Sequence, residues 1–121
     1  MKQTAKTLKE FVGGFGIPAY ATNSVPDDVD LPYLTYPIVE PEWGKKASFY
    51  IYGWYRTTSY SDMLDKCDQI VREIGEGISI SMQDGYIVLR PETPLVQFMD
   101  DEDAKAFYIN LSLNSFHVPG V

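Results

Sequence analysis

One cysteine and one histidine leave this chain short of the side chains that most often bind metals or attack substrates. Cys67 cannot close an internal disulfide, and it falls on the apolar stripe of an expected helix, where a small buried core residue is the natural reading. His117 is the sole histidine available as a base for a Ser or Cys nucleophile. No Cys/His spacing suits zinc, and there is no dinucleotide fingerprint, kinase signature or hydrolase motif. These gaps argue against an enzyme and against a bound metal or cofactor. Basic residues are also scarce: ten against seventeen acidic ones give a net charge of −7. Such a balance opposes unspecific attraction to nucleic acid or anionic membrane, which grows with clustered Lys and Arg.

Long apolar runs are missing too. Nothing approaches the roughly 18 consecutive apolar residues of a membrane span. Lys2, Lys6 and Lys9 resemble the basic start of a signal peptide, but Phe11-Val12 runs straight into Gly13-Gly14, so no secretion signal is expected. The Gly13-Gly14-Phe15-Gly16 patch has neither the following Gly-Lys-Ser/Thr nor the preceding strand of a phosphate loop, and reads as a helix stop.

What is abundant is aromatic character. Nine tyrosines are many for 121 residues, and tyrosine, with an apolar body and a polar tip, suits half-buried contact surfaces. The chain has the length of one domain, able to bury roughly two thirds of its unfolded surface. Its organising stretch runs from Ala47 to Gly75. Ala47 to Thr57 is rich in aromatic and β-branched residues and reads as a strand. Thr58 to Asp62 then offers turn and N-cap chemistry, with Ser59 and Asp62 at capping-box spacing. Leu64, Cys67, Val71 and Ile74 follow as one apolar stripe of a helix that stops at Gly75 and Gly77.

The remaining elements arrange themselves around this pair. Thr4 to Val12 is a short helix with Met1, Ala5, Leu8 and either Val12 or Phe11 on one side. A loop covers about residues 17–30, and Leu31 to Glu40 is a strand interrupted by Pro37, hence an edge or bulged one, antiparallel to the Ala47 strand. Ile78 to Met82, an Asp84-Gly85 turn and Tyr86 to Arg90 form a hairpin. Counting outward from that turn sets Met82 against Ile87 and Ile80 against Leu89, an apolar face. Pro91 to Phe98 is a proline-punctuated connection with a brief strand at Leu95 to Gln97, and Lys105 to Phe116 is a final half-buried strand. Residues 117–121 are expected to be a flexible tail. The fold class is α+β: a mostly antiparallel sheet of four to five strands, an amphipathic helix packed on one face and a short N-terminal helix, in one domain spanning residues 1–121.

Two acidic clusters invite a metal reading and do not sustain it. Asp27, Asp28 and Asp30 lack the Gly and closing Glu of a calcium loop. Asp100, Asp101, Glu102 and Asp103 are four adjacent like charges that repel one another and stay in water. The sharper signal is the row Tyr50, Tyr52 and Trp54 on one strand face with Arg56 next in line. It reads either as a packing or subunit-contact face or as a platform for stacking single-stranded nucleic acid, against which the charge of −7 stands.

In element order the chain resembles the tail terminator, or tail completion, proteins of long-tailed bacteriophages, which include neck proteins joining tail to head. The resemblance runs from about Leu8 to Phe116: short helix, Pro/Asp-rich loop opening into Leu31-Pro32-Tyr33-Leu34-Thr35-Tyr36, the strand of Phe49 to Arg56, a Ser-capped helix, the hairpin and a last strand. It implies a structural protein of the virion tail or neck, assembled in the host cytoplasm. Such a protein forms a homo-oligomeric ring, commonly of six, that caps the tail-tube protein and presents a surface to the head connector, with no membrane or sequence-specific nucleic acid as partner. On that reading Tyr50, Tyr52, Trp54 and Arg56 contribute to the subunit interface, and the loops of Asp27, Asp28, Asp30 and of Asp100, Asp101, Glu102, Asp103 face the lumen or adjoining rings. The alternatives are a head-closure or head-tail joining protein and, from another class, a small ligand- or single-strand nucleic-acid-binding module.

Overall fold

Alternating burial along the last strand shows where the core lies. In the computed structural model, which describes residues 2–42, 44–100 and 103–118, Phe107, Ile109, Leu111 and Leu113 are fully buried. That strand, β6 (Lys105–His117), is central and is paired along both sides. Before it come α1 (Lys2–Gly13), β1 (Ala19–Ala21), β2 (Tyr33–Tyr36), β3 (Lys46–Tyr55), α2 (Tyr60–Ile74), β4 (Ile78–Met82) and β5 (Gly85–Asp100). The strands form one sheet in the order β1-β2-β3-β6-β5-β4, antiparallel throughout except for the parallel pair β1-β2. The expected α+β class is the observed one, with six strands among the described residues instead of four to five.

The extra strand comes from the expected loop: Ala19–Ala21 pairs with Leu34 to Tyr36, while the rest of residues 22–32 stays irregular. β2 is correspondingly shorter than Leu31 to Glu40, ending at Tyr36 just before Pro37. A proline-punctuated connection was expected after Arg90; instead β5 continues to Asp100, with a break in register between Pro91 and Val96 that absorbs Pro94 as a bulge.

Both helices serve one face. α2 lies against β3, β5 and β6, while α1 reaches the two outermost strands, β1 and β4. The buried stripe of α2 is Met63, Cys67, Ile70 and Ile74, one residue round from the expected Leu64, Cys67, Val71, Ile74, because Leu64 and Val71 sit on the rim. Ser59 occupies the N-cap position, but its side chain makes no capping hydrogen bond; its carbonyl accepts from Met63 N–H at 3.0 Å. Leu8, Val12 and Phe15 join Leu34, Phe49, Ile51, Ile87 and Leu89 in the same core, each large side chain contributing on the order of 1.5–3 kcal/mol.

Two glycines are required by close approach. A Cβ on Gly53 would overlap the Phe107 ring across the β3–β6 pair, and one on Gly85 would overlap the Phe116 carbonyl oxygen. Gly85 has no positive φ, so it is not the left-handed turn residue expected of Asp84-Gly85. The turn is Gln83-Asp84 instead, and the register is Met82 to Gly85, Ile80 to Ile87 and Ile78 to Leu89, two residues from that expected. A shift of two preserves the faces, whereas a shift of one would have turned Ile87 and Leu89 outward. His117, the last residue of β6, lies 3.4 Å from Glu40, and Val118 N–H donates to the Asp84 carbonyl at 2.8 Å; residues 119–121 lie outside the described ones.

Gly85→Ala is expected to destabilise the fold by about 1–3 kcal/mol in urea titration, because backbone must move to admit the methyl group. Burial pushes the Tyr55 hydroxyl up to about 12, helped by the nearby Asp62 carboxylate, and pushes the Cys67 thiol up to about 11, helped by Asp68. Both raised groups favour the folded state while neutral, and that advantage is full at neutral pH. Stability should therefore fall from about pH 9, where an unfolded thiol ionises, to about pH 12, where folded Tyr55 does. Alkaline unfolding followed by circular dichroism checks this.

Candidate functional face

Strand alternation sends the even-numbered residues of β3 and β6 away from the helices. Tyr50, Tyr52 and Trp54 therefore share the uncovered face, as expected from their spacing, and all three are half-buried. They are not alone. Pairing of β3 with β6 sets Tyr108 directly opposite Tyr52, and pairing of β2 with β3 sets Tyr33 opposite Trp54. Tyr20 on β1 comes next, its ring 5.8 Å from that of Tyr33 in an edge-to-face contact.

The rings of Tyr50, Tyr52, Trp54 and Tyr108 form one connected group, and the Tyr20–Tyr33 pair lies beside it across the β2–β3 pairing. Tyr52 and Trp54 stack at 5.8 Å with planes 10° apart, Tyr50 meets Tyr108 edge-on at 5.7 Å, and Tyr52 lies 5.4 Å from Tyr108. Pairs of this kind add roughly 0.5–1.5 kcal/mol beyond area burial. The patch is also pinned from below: Trp54 Nε1–H donates to Thr35 Oγ1 at 3.0 Å, and Thr35 is 4% exposed. The indole is thus tied to β2 as well as stacked on Tyr52.

Below the rings the same face turns polar. Ser48, Asn110, Ser112 and Asn114 continue it, and the β5 bulge bends over its side. Asn110 Nδ2–H donates to the Pro94 carbonyl at 3.3 Å, and Lys46 pairs with Glu92 at 3.2 Å. A shallow groove of about 260 Å³ lies between the bulge and Tyr50. Among the described residues no three His, Cys, Asp or Glu side chains come together as metal ligands.

The other expected site residues are dispersed. Arg56 lies just past the end of β3 and is exposed. Asp27, Asp28 and Asp30 are exposed in the irregular segment between β1 and β2. Asp100 ends β5 and pairs with Lys105 at 3.4 Å, Asp103 is exposed, and Asp101 and Glu102 lie outside the described residues. Sequence reasoning left Tyr20, Tyr33 and Tyr108 out of the aromatic patch. The alternation of the last strand already put Tyr108 on a wetter face, but only the cross-strand register brings it to Tyr52.

No protein-family profile matches the chain, and no curated protein does. Among solved structures, one aligns over 98% of this chain and 94% of its own, with a TM-score of 0.59 and 14% identity. At that identity the likeness is one of fold alone.

Replacing Thr35 with Val removes the acceptor under the indole. The expected cost is about 1 kcal/mol in chemical denaturation, with no change in secondary structure by circular dichroism.

Proposed function

We propose that this protein is a structural component of a phage or prophage particle, a tail terminator that closes into a ring, commonly of six subunits, on the end of the tail tube. The ring stops tube growth and offers the joining surface to the head connector. The observation that carries this reading is the aromatic patch, an extended face of the sheet that the protein's own helices leave open. Monomeric proteins seldom leave a large connected apolar patch unused, and patches rimmed by polar groups mark protein contacts. Tyr, Trp and Arg are also the residues most enriched where proteins meet.

Two further features support assembly. The sheet has open borders, and a closed ring needs a heterologous interface whose rotation closes on itself. The acidic residues Asp27, Asp28, Asp30, Asp100 and Asp103 sit at loops and strand ends, where they can face a lumen or an adjoining ring. Tyr50, Tyr52, Trp54 and Arg56 belong to the contact surface of the assembled particle.

Electron microscopy of the purified protein is expected to show rings of uniform diameter, with a matching particle mass in sedimentation. Tyr52→Ser with Trp54→Ser should retain a cooperative thermal transition and lose either the ring or its capture of tail-tube protein. A wild-type protein that remains monomeric at high concentration and captures no tail-tube protein contradicts the reading. Capture of a head protein in place of tail-tube protein would make it a head-closure component instead.

A further inference from the structure

The joint between neighbouring copies can be located from the ladder. This step rests on the ring reading above and concerns how the copies meet. β4 covers β5 only from Gly85 to Leu89, so Val96 to Asp100 is paired with β6 on one side and has no strand on the other among the described residues. Phe98 on this free edge is 52% exposed, unusual for a phenylalanine whose cross-strand partner, Phe107, is fully buried. At the opposite border β1 likewise has no strand on its outer side among the described residues. The Pro18 carbonyl accepts from Leu34 N–H and Thr22 N–H donates to the Tyr36 carbonyl. In a parallel ladder the alternate residues, Ala19 and Ala21, then turn their backbone groups to the open border.

These two borders match in three respects. The first is level. Straight across the sheet, Ala19, Leu34, Gly53, Phe107 and Phe98 form one row, and Tyr20, Thr35, Tyr52, Tyr108 and Gln97 form the next. Joining β5 of one copy to β1 of the next therefore adds no offset along the strands. The second is polarity. β1 runs parallel to β2, and every other pair is antiparallel, so β1 and β5 run in opposite directions. Copies related by rotation about an axis along the strands would meet as an antiparallel pair, the more stable arrangement.

The third is shape and charge. Beside β1, on the helix side, lies a groove of about 480 Å³ whose lining includes Ala5, Ala19, Ala21, Tyr36 and Ile38, with Lys6 and Lys9 along it. Ile38 is 46% exposed there. Phe98 projects to the same side of the sheet as Ala19 and Ala21, so in the joined sheet a large exposed ring meets two small residues and an open apolar groove. α1 carries an excess of lysine, with Lys2, Lys6 and Lys9 against Glu10. The tip of the β5 border is acidic, with the Asp100 side chain 81% exposed and Asp103 exposed beyond it.

We infer that the free edge of β5, Val96 to Asp100, adds as a strand to β1 of the neighbouring copy, with Phe98 seated in the groove between β1 and α1 and the acidic tip held by Lys6 and Lys9. Phe98 lies opposite Ala19 of the neighbour, and Val96 opposite Ala21. The interface is head-to-tail, and it leaves the aromatic face of each copy uncovered.

Cysteine pairing tests this, with buried Cys67 left in place as the internal control. Ala19→Cys with Phe98→Cys, and separately Ala21→Cys with Val96→Cys, should yield a ladder of covalent oligomers on mild oxidation, and each single variant should yield none. Lys6→Glu with Lys9→Glu should weaken the ring at least tenfold, and adding Asp100→Lys and Asp103→Lys to the same chain should restore it. Rings in the microscope without cross-links in either pair overturn this joint and leave the ring reading standing. Dimers from Phe98→Cys alone show a two-fold contact and also overturn it. Monomers only, without cross-links, overturn this joint, and a failure to capture tail-tube protein as well overturns the ring reading with it.

Discussion

Pairing of β6 on both of its sides is the constraint on which the rest of the structure depends. Its partners, β3 and β5, are separated from each other by α2 and the β4 hairpin arm, so β6 alone makes one sheet of the two halves of the chain. Gly53 and Gly85 belong to the same constraint. One clears space for the Phe107 ring and the other lets the backbone of β5 approach Phe116, so β6 can lie close to each neighbour. With β6 seated, its alternating residues assign every neighbouring side chain to the helical side or the open side.

That assignment makes the two faces unlike. Two helices are enough to cover one side of a six-stranded sheet, and the core forms there. The other side keeps rings that are packed against one another and only half covered. The cost of leaving such a surface in water is reduced by the tyrosine hydroxyls, which stay wet while the ring bodies cover each other.

The borders follow from the uneven lengths of the strands. β4 has five residues and β5 sixteen, so the longer strand outruns its neighbour and exposes backbone groups. Pro91 and Pro94 lie where the cover ends and interrupt the ladder at the bulge, which keeps the free segment short. The single parallel pair in the sheet, β1 with β2, decides which way the opposite border runs. Level, direction and side-chain size at the two borders are thus consequences of one strand order.

From the sequence by itself, composition and local periodicity determined the α+β class, the existence of both helices, the alternation of β3, β4 and β6, and the common face of Tyr50, Tyr52 and Trp54. All of these depend on residues within about ten positions of one another, where side-chain chemistry acts directly on the backbone. Only the tertiary structure decided that Ala19 to Ala21 is a strand, that Asp84-Gly85 yields its turn to Gln83-Asp84, that β5 continues through two prolines, and that Tyr20, Tyr33 and Tyr108 join the patch. Each of those turns on a partner distant in the chain, as Ala19 on Leu34, Tyr52 on Tyr108 and Gly85 on His117 illustrate. A three-residue strand or a glycine without positive φ carries no local preference strong enough to announce itself. Its conformation is set by the neighbour that approaches it, and that neighbour is chosen by packing across the whole sheet.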